Sequence, residues 1–127
     1  MSFSASDIGK ALYSLINATV SIYPTVAPQN VSGTYATYDI IRTDPDKVKL
    51  DGSWADDITV LISIFATTRD ITQTKARAIR IIMDQYNGTA GTVYIDSAYY
   101  VTETTDWDED LKKYVNISEY AIRTLNT

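Results

Sequence analysis

Apolar side chains recur at helical spacing near the start of the chain. Ile8, Leu12, Leu15 and Ile16, with Thr19, fall on one face of an amphipathic helix, and Lys10, Ser14 and Asn17 lie towards the other. Ser4 and Asp7 stand at capping-box spacing ahead of it, with Ser6 as the alternative cap. Pro24 and Pro28 each lack a backbone donor and restrict the residue before them, so Tyr23 to Gly33 is expected to be an extended connector. The period then shortens to two. Thr34 to Thr43, rich in Tyr, Thr and Ile, predicts one strand, and Ile58 to Thr67 predicts a second. Between them Asp44 to Trp54, with Pro45, Gly52 and several charges, reads as a long exposed hairpin loop. A second helix has Asp70 placed to cap Gln73, a buried stripe of Ala76, Ile79, Ile82, Met83 and Tyr86, and Asn87-Gly88 to end it. Two further strands, Thr92 to Thr104 and Lys113 to Leu125, are joined by the acidic segment Asp106-Trp107-Asp108-Glu109-Asp110.

This order, helix, strand, strand, helix, strand, strand, predicts an α+β fold in which a four-stranded, largely antiparallel sheet carries both helices on one face. At 127 residues the chain is expected to form one domain, residues 1–127. The second predicted strand raises a question about the opposite face. Its even positions, Ile58, Val60, Ile62, Ile64 and Ala66, are uniformly apolar, whereas on the odd face Thr59 and Ser63 alternate with Leu61 and Phe65. Either something packs on both sides of the sheet within one subunit, or Leu61 and Phe65 are covered by a neighbouring copy.

Composition narrows the chemistry. The chain has no Cys and no His, which removes Ser-His-Asp and Cys-His nucleophiles, thiol redox chemistry, the usual structural zinc ligands and disulfides. The formal net charge is −5 and the sequence pI about 4.5, which disfavours a dedicated nucleic-acid binder but suits a wall past which DNA slides. The first residues lack a charged then apolar leader pattern, and the longest apolar run, Val60 to Ala66, is too short to cross a bilayer, so cytoplasmic synthesis and no membrane partner are expected. Ten tyrosines supply side chains that are apolar in body and polar at the tip, suited to wet interfaces and equally to half-buried strands.

Candidate constellations are few. The cluster Asp106, Asp108, Glu109 and Asp110 alternates oxygen ligands as a Ca²⁺ loop does, but Leu111 stands where the loop needs Gly and Ile117 where it needs Glu. No metal site and no cofactor are expected. Asp44, Asp46, Asp51, Asp56, Asp57 and Asp96 are spare carboxylates of the kind a glycan hydrolase pairs, yet spacing sets no two of them across a sugar. No catalytic residues are assigned. Trp54 and Trp107, flanked by aspartates in polar segments, are candidate anchors for a partner. Lys75, Arg77 and Arg80, with Asp84 four residues beyond Arg80, form a charged helix face, either simply solvated or in contact with an acidic subunit or DNA.

Three stretches carry a resemblance. The connector Ile22-Tyr23-Pro24-Thr25-Val26-Ala27-Pro28-Gln29 is followed by the Tyr-rich strand Tyr35-Ala36-Thr37-Tyr38-Asp39-Ile40. The strand Ile58-Thr59-Val60-Leu61-Ile62-Ser63-Ile64-Phe65-Ala66-Thr67-Thr68 then runs into an Ala-containing helix, and a closing hairpin completes the chain. In this order the pieces resemble the phage tail-completion family, which includes tail terminators and head-to-tail joining proteins. Thr34 departs from the family pattern, which often has Pro before the first-strand Tyr. The resemblance implies a structural virion protein: a homohexameric ring that caps the tail tube and joins it to the neck or connector, with DNA only as passing cargo. It implies no catalysis. The patches proposed for contact are Leu61 and Phe65 on the sheet, and Asp46, Lys47, Lys49, Trp54, Trp107, Asp108 and Asp110 in and beside the two long loops. A neck adaptor or stopper between portal and tail is the alternative within the virion. A carboxylate-based hydrolase and a small ligand-binding module are the alternatives outside it.

Overall fold

The structure, a computed structural model, describes residues 5–24, 33–46 and 54–126. Its elements run α1 (Ala5–Ile16), β1 (Ile22–Pro24), β2 (Tyr35–Asp46), β3 (Trp54–Ala66), α2 (Arg69–Met83), β4 (Gly88–Ala90), β5 (Val93–Asp108) and β6 (Lys113–Asn126). The strands form one six-stranded curled sheet in the order β1-β2-β3-β6-β5-β4. The expected four-stranded, largely antiparallel sheet with the order helix, strand, strand, helix, strand, strand is therefore corrected. Two three-residue strands extend the sheet at its flanks, and β1 runs parallel to β2, which makes the sheet mixed. Both additions have local causes that periodicity does not register. Pro24 argues in sequence for a connector, yet a proline is tolerated on an edge strand, where its missing N–H breaks no ladder bond. β4 is too short to show alternation, and a tight turn folds it onto β5. Ala90 pairs Val93 across Gly91-Thr92, and only Gly91 of the two has positive φ (60°), the pattern of a type II′ hairpin turn.

The hairpin strands are also longer than alternation suggested. β2 continues to Asp46 and β3 begins at Trp54, so seven residues, 47–53, separate them and lie outside the described residues. β5 absorbs Asp106, Trp107 and Asp108 into the ladder, leaving only Glu109 to Lys112 as the turn. Asp108 Oδ1 accepts from the Leu111 N–H at 3.0 Å, and Lys112 takes φ 56° to close it. The acidic segment is a strand end and a tight turn, not a loop.

One core holds the fold. Both helices bury their apolar stripes into a cluster built on the even face of β3, where Val60, Ile62 and Ile64 have no exposed surface. α1 contributes Ile8, Ala11, Leu12 and Ile16, and α2 contributes Ala76, Ile79 and Met83. Ile82 and Tyr86, expected in the buried stripe of the second helix, are only half-buried. α1 passes close to β2 because Gly9 has no side chain, and a Cβ there would collide with the Tyr38 hydroxyl. α2 is capped by Thr68, whose Oγ1 accepts from the Ile71 N–H at 3.2 Å, two residues before the expected cap Asp70. The capping residue expected for α1, Ser4, lies outside the described residues.

Candidate assembly surface

No helix covers the second face of the sheet among the described residues. Register places Leu61 opposite Asp39 and Glu119, Ser63 opposite Thr37 and Ile117, and Phe65 opposite Tyr35 and Val115. Directly opposed residues share a face, so these nine side chains form one continuous patch across β2, β3 and β6. Leu61 and Phe65 are half-buried within it, and Tyr35 and Thr37 are buried. Phe65 stacks on Tyr35 at 5.0 Å between ring centroids, and Lys113 Nζ lies over the Tyr35 ring at 4.9 Å while donating to the Gly33 carbonyl at 2.7 Å. Burial and, secondarily, the Asp108 charge push the Tyr35 phenol up from its usual pKa. Further along the same sheet Tyr99 (54 % exposed) and Val101 leave apolar surface open beside a bulge in β5.

The β5–β6 hairpin tip carries the second group of candidates. Trp107 is 42 % exposed, meets Tyr114 edge-on at 4.8 Å, and donates from Nε1 to Glu109 Oε2 at 2.7 Å. Glu109 is further held by Lys112, and these two bonds, Lys112 first, pull its carboxyl below the usual range. Asp108 is committed to the turn and Asp110 is exposed. Lys47 and Lys49 lie outside the described residues, as do the side chains of Asp46 and Trp54. Among the described residues no group of His, Cys, Asp and Glu converges to hold a metal ion.

The charged face of α2 divides. Lys75 reaches the turn that follows α1, donating to the Thr19 carbonyl at 3.0 Å, and so ties α2 to that turn. Arg80 lies over the Tyr100 ring at 3.9 Å instead of pairing with Asp84, whose Oδ1 takes the Tyr100 N–H at 3.0 Å. Arg77 remains exposed. Below them runs a polar chain that sequence reasoning missed. Glu103 accepts from the Tyr100 hydroxyl at 2.8 Å and from Asn116 Nδ2 at 2.7 Å, and Asn116 Oδ1 accepts from Ser118 at 2.9 Å. The available signal was Asn116 and Ser118 sharing the parity of Tyr120 and Ile122 on β6. Outside this chain an open groove of about 810 Å³ separates α2 from β5, lined by Gln73, Arg77, Ile81, Glu103 and Thr105 among others. Ile81 is 73 % exposed there, an isoleucine off the buried stripe and hence a sequence signal in its own right.

No helix among the described residues is long and apolar enough to cross a membrane. Compared by sequence, the chain matches no family model and no curated protein. Compared by fold, it is similar to a chain of the virion of a native gene transfer agent (GTA) particle, with a TM-score of 0.75 and 12 % identity over 97 % of this chain and 100 % of that one. At that identity the likeness is one of fold, and it extends over essentially the whole of both chains.

Proposed function

We infer that this chain is a structural virion protein, a tail terminator or completion protein that assembles into a ring, caps the tail tube and joins it to the neck. The observation that carries the reading is the fold shared, end to end, with a virion chain. The surface supports it. A closed ring is built from head-to-tail contacts, so each copy needs two different adhesive regions. The patch around Leu61 and Phe65 and the tip around Trp107 are two such regions on one sheet. The acidic balance of the chain suits a conduit past which DNA moves without being held. A hexamer is the subunit number proposed, with the tube and the neck as its two axial partners. Light scattering on the purified chain, alone and with isolated tail tubes, tests this. A ring-sized species, and particles seen by electron microscopy at the head-proximal end of tubes, are expected. A protein that stays monomeric at high concentration and leaves tubes undecorated ends the reading.

A further inference from the structure

The two flanks of the sheet are guarded unevenly, and the gaps match. On the β2 flank, β1 covers only Ala36 to Tyr38. The Ala36 N–H donates to the Ser21 carbonyl at 2.8 Å and so faces away from β3. Alternation, followed across the bulge through the partners Val60 and Ile58, turns Ile40 and Thr43 outward too. Pro45 is also outward, where its missing N–H breaks no ladder bond. On the β5 flank, β4 covers Val93 to Ile95, the Gln85 N–H donates to the Ala98 carbonyl at 2.6 Å, and Asp84 holds the Tyr100 N–H. Past the bulge the same parity, through Ser118 and Asn116, turns Glu103 and Thr105 outward. The N–H of Trp107, next in that series, is closed off by Asp106 Oδ1 at 2.8 Å. Among the described residues, Ile40 and Thr43 on one flank, and Glu103 and Thr105 on the other, have no backbone partner for their outward groups. Such edges are templates for another strand.

We propose that the free edge of β5 pairs with the free edge of β2 from a second copy of this chain, joining neighbouring sheets into one continuous sheet around the ring. The inference rests on the ring reading and names its interface. Direction fits, because β2, β3, β6 and β5 alternate, so a copy related by rotation brings its β2 antiparallel to β5. Offset fits as well. Thr104 shares a row with Ile117, Ser63 and Thr37, and Arg42 stands four ladder positions from Thr37, by way of Tyr38, Asp39 and Ile40, with Ile41 bulged out. Setting Arg42 of one copy against Thr104 of the next staggers the sheet by about one residue per strand, the ratio at which an eight-stranded barrel of shear eight closes with strands tilted about 36°. The groove between α2 and β5 is the space the incoming strand takes, with its Ile40 and Thr43 on the side of the exposed Ile81. Asp39 of the incoming copy then opposes Asp106, and its Arg42, diagonal to the same carboxylate, offsets that repulsion.

The chain contains no cysteine, so engineered pairs report contact without background. Residues opposed in this way lie about 4.5 Å apart at Cα, within the span of a disulfide. Arg42→Cys and Thr104→Cys in one chain should give, on mild oxidation, a ladder of covalent oligomers. The two single variants mixed should give only dimers, and each alone should give none. Asp44→Cys with Thr102→Cys, one row along, should behave alike and guards against a local defect in either variant. Self-linking by a single variant at the yield of the mixture means like edges meet, which overturns the proposal. Ring-sized protein by light scattering with no cross-link in either pair overturns it while leaving the ring reading intact. Monomers under all conditions end both.

Discussion

The two faces of this sheet are made by the same strands yet closed by different means. On one, consecutive even residues of β3 are sealed beneath two helices, and Val60, Ile62 and Ile64 retain no exposed surface. On the other, Leu61 and Phe65 keep partial exposure, and no helix among the described residues packs over them. The first face is complete within a single copy. The second keeps apolar surface partly open at Leu61 and Phe65, although Tyr35 and Thr37 beside them are buried. Adjacent residues of one strand therefore do different work, and substitutions one position apart should part company.

The largest separation is expected at Ile62 and Leu61. Ile62→Ala removes a fully buried side chain from the centre of the core and should cost about 3–4 kcal/mol by urea denaturation. Leu61→Ala, one residue away, should cost about 1 kcal/mol, since part of its surface already meets water. Equal costs would mean that the second face is sealed as the first is, and the contrast would fail. Asn116→Ala comes next. It takes from Glu103 one of its two donors among the described residues and from Ser118 its acceptor, beneath α2, so a loss of about 2 kcal/mol is expected. Ala121, on the uncovered face of the same strand, should tolerate Ser with a change below about 0.5 kcal/mol. Phe65→Ser sharpens the comparison differently. Monomer stability should fall by about 1–2 kcal/mol through loss of the Tyr35 stack, while the ring-sized species in light scattering should disappear. Retention of the ring would remove this patch from the interface.

Much of this contrast is visible in the sequence, because alternation in Ile58 to Ala66 reports directly which side of a strand is apolar. The helix stripes are equally legible in Ile8, Leu12 and Ile16 and in Ala76, Ile79 and Met83. What alternation cannot report is anything shorter than its own period repeated. β1 and β4 have three residues each, and both were missed. Polarity misleads at the hairpin tip for a related reason. Asp106 and Asp108 look like loop residues, but an exposed strand end past the helices has no apolar requirement, so charge and ladder coexist there. The charges of α2 were legible as a group and not as individuals. Whether Arg80 meets Asp84 on its own helix or the face of Tyr100 from another strand depends on packing that helical spacing does not encode.

Tyr120 joins the helix-covered face to pH. Its ring is fully buried, edge-on to Tyr100 at 5.9 Å, and its hydroxyl meets no hydrogen-bond partner among the described residues. A buried hydroxyl without a partner forfeits its hydration and gains nothing in return, so Tyr120→Phe should leave the fold intact and stabilise it by about 1 kcal/mol at neutral pH. Burial, reinforced by the Glu103 carboxylate, raises the phenol pKa well above the ordinary value of 10.0. The folded state therefore keeps this proton after the unfolded chain has begun to lose it. Below the unfolded pKa the contribution is fully present, and it is lost as pH climbs through about 10 towards the folded value. Denaturation followed between pH 8 and pH 11 should show stability falling at the upper end. The fall should be shallower in Tyr120→Phe, with the remainder coming from Tyr35 and Tyr100, whose phenols are also raised. An unchanged slope in the variant would mean that water reaches this hydroxyl, and that the covered face is open at the point where α2 crosses β6.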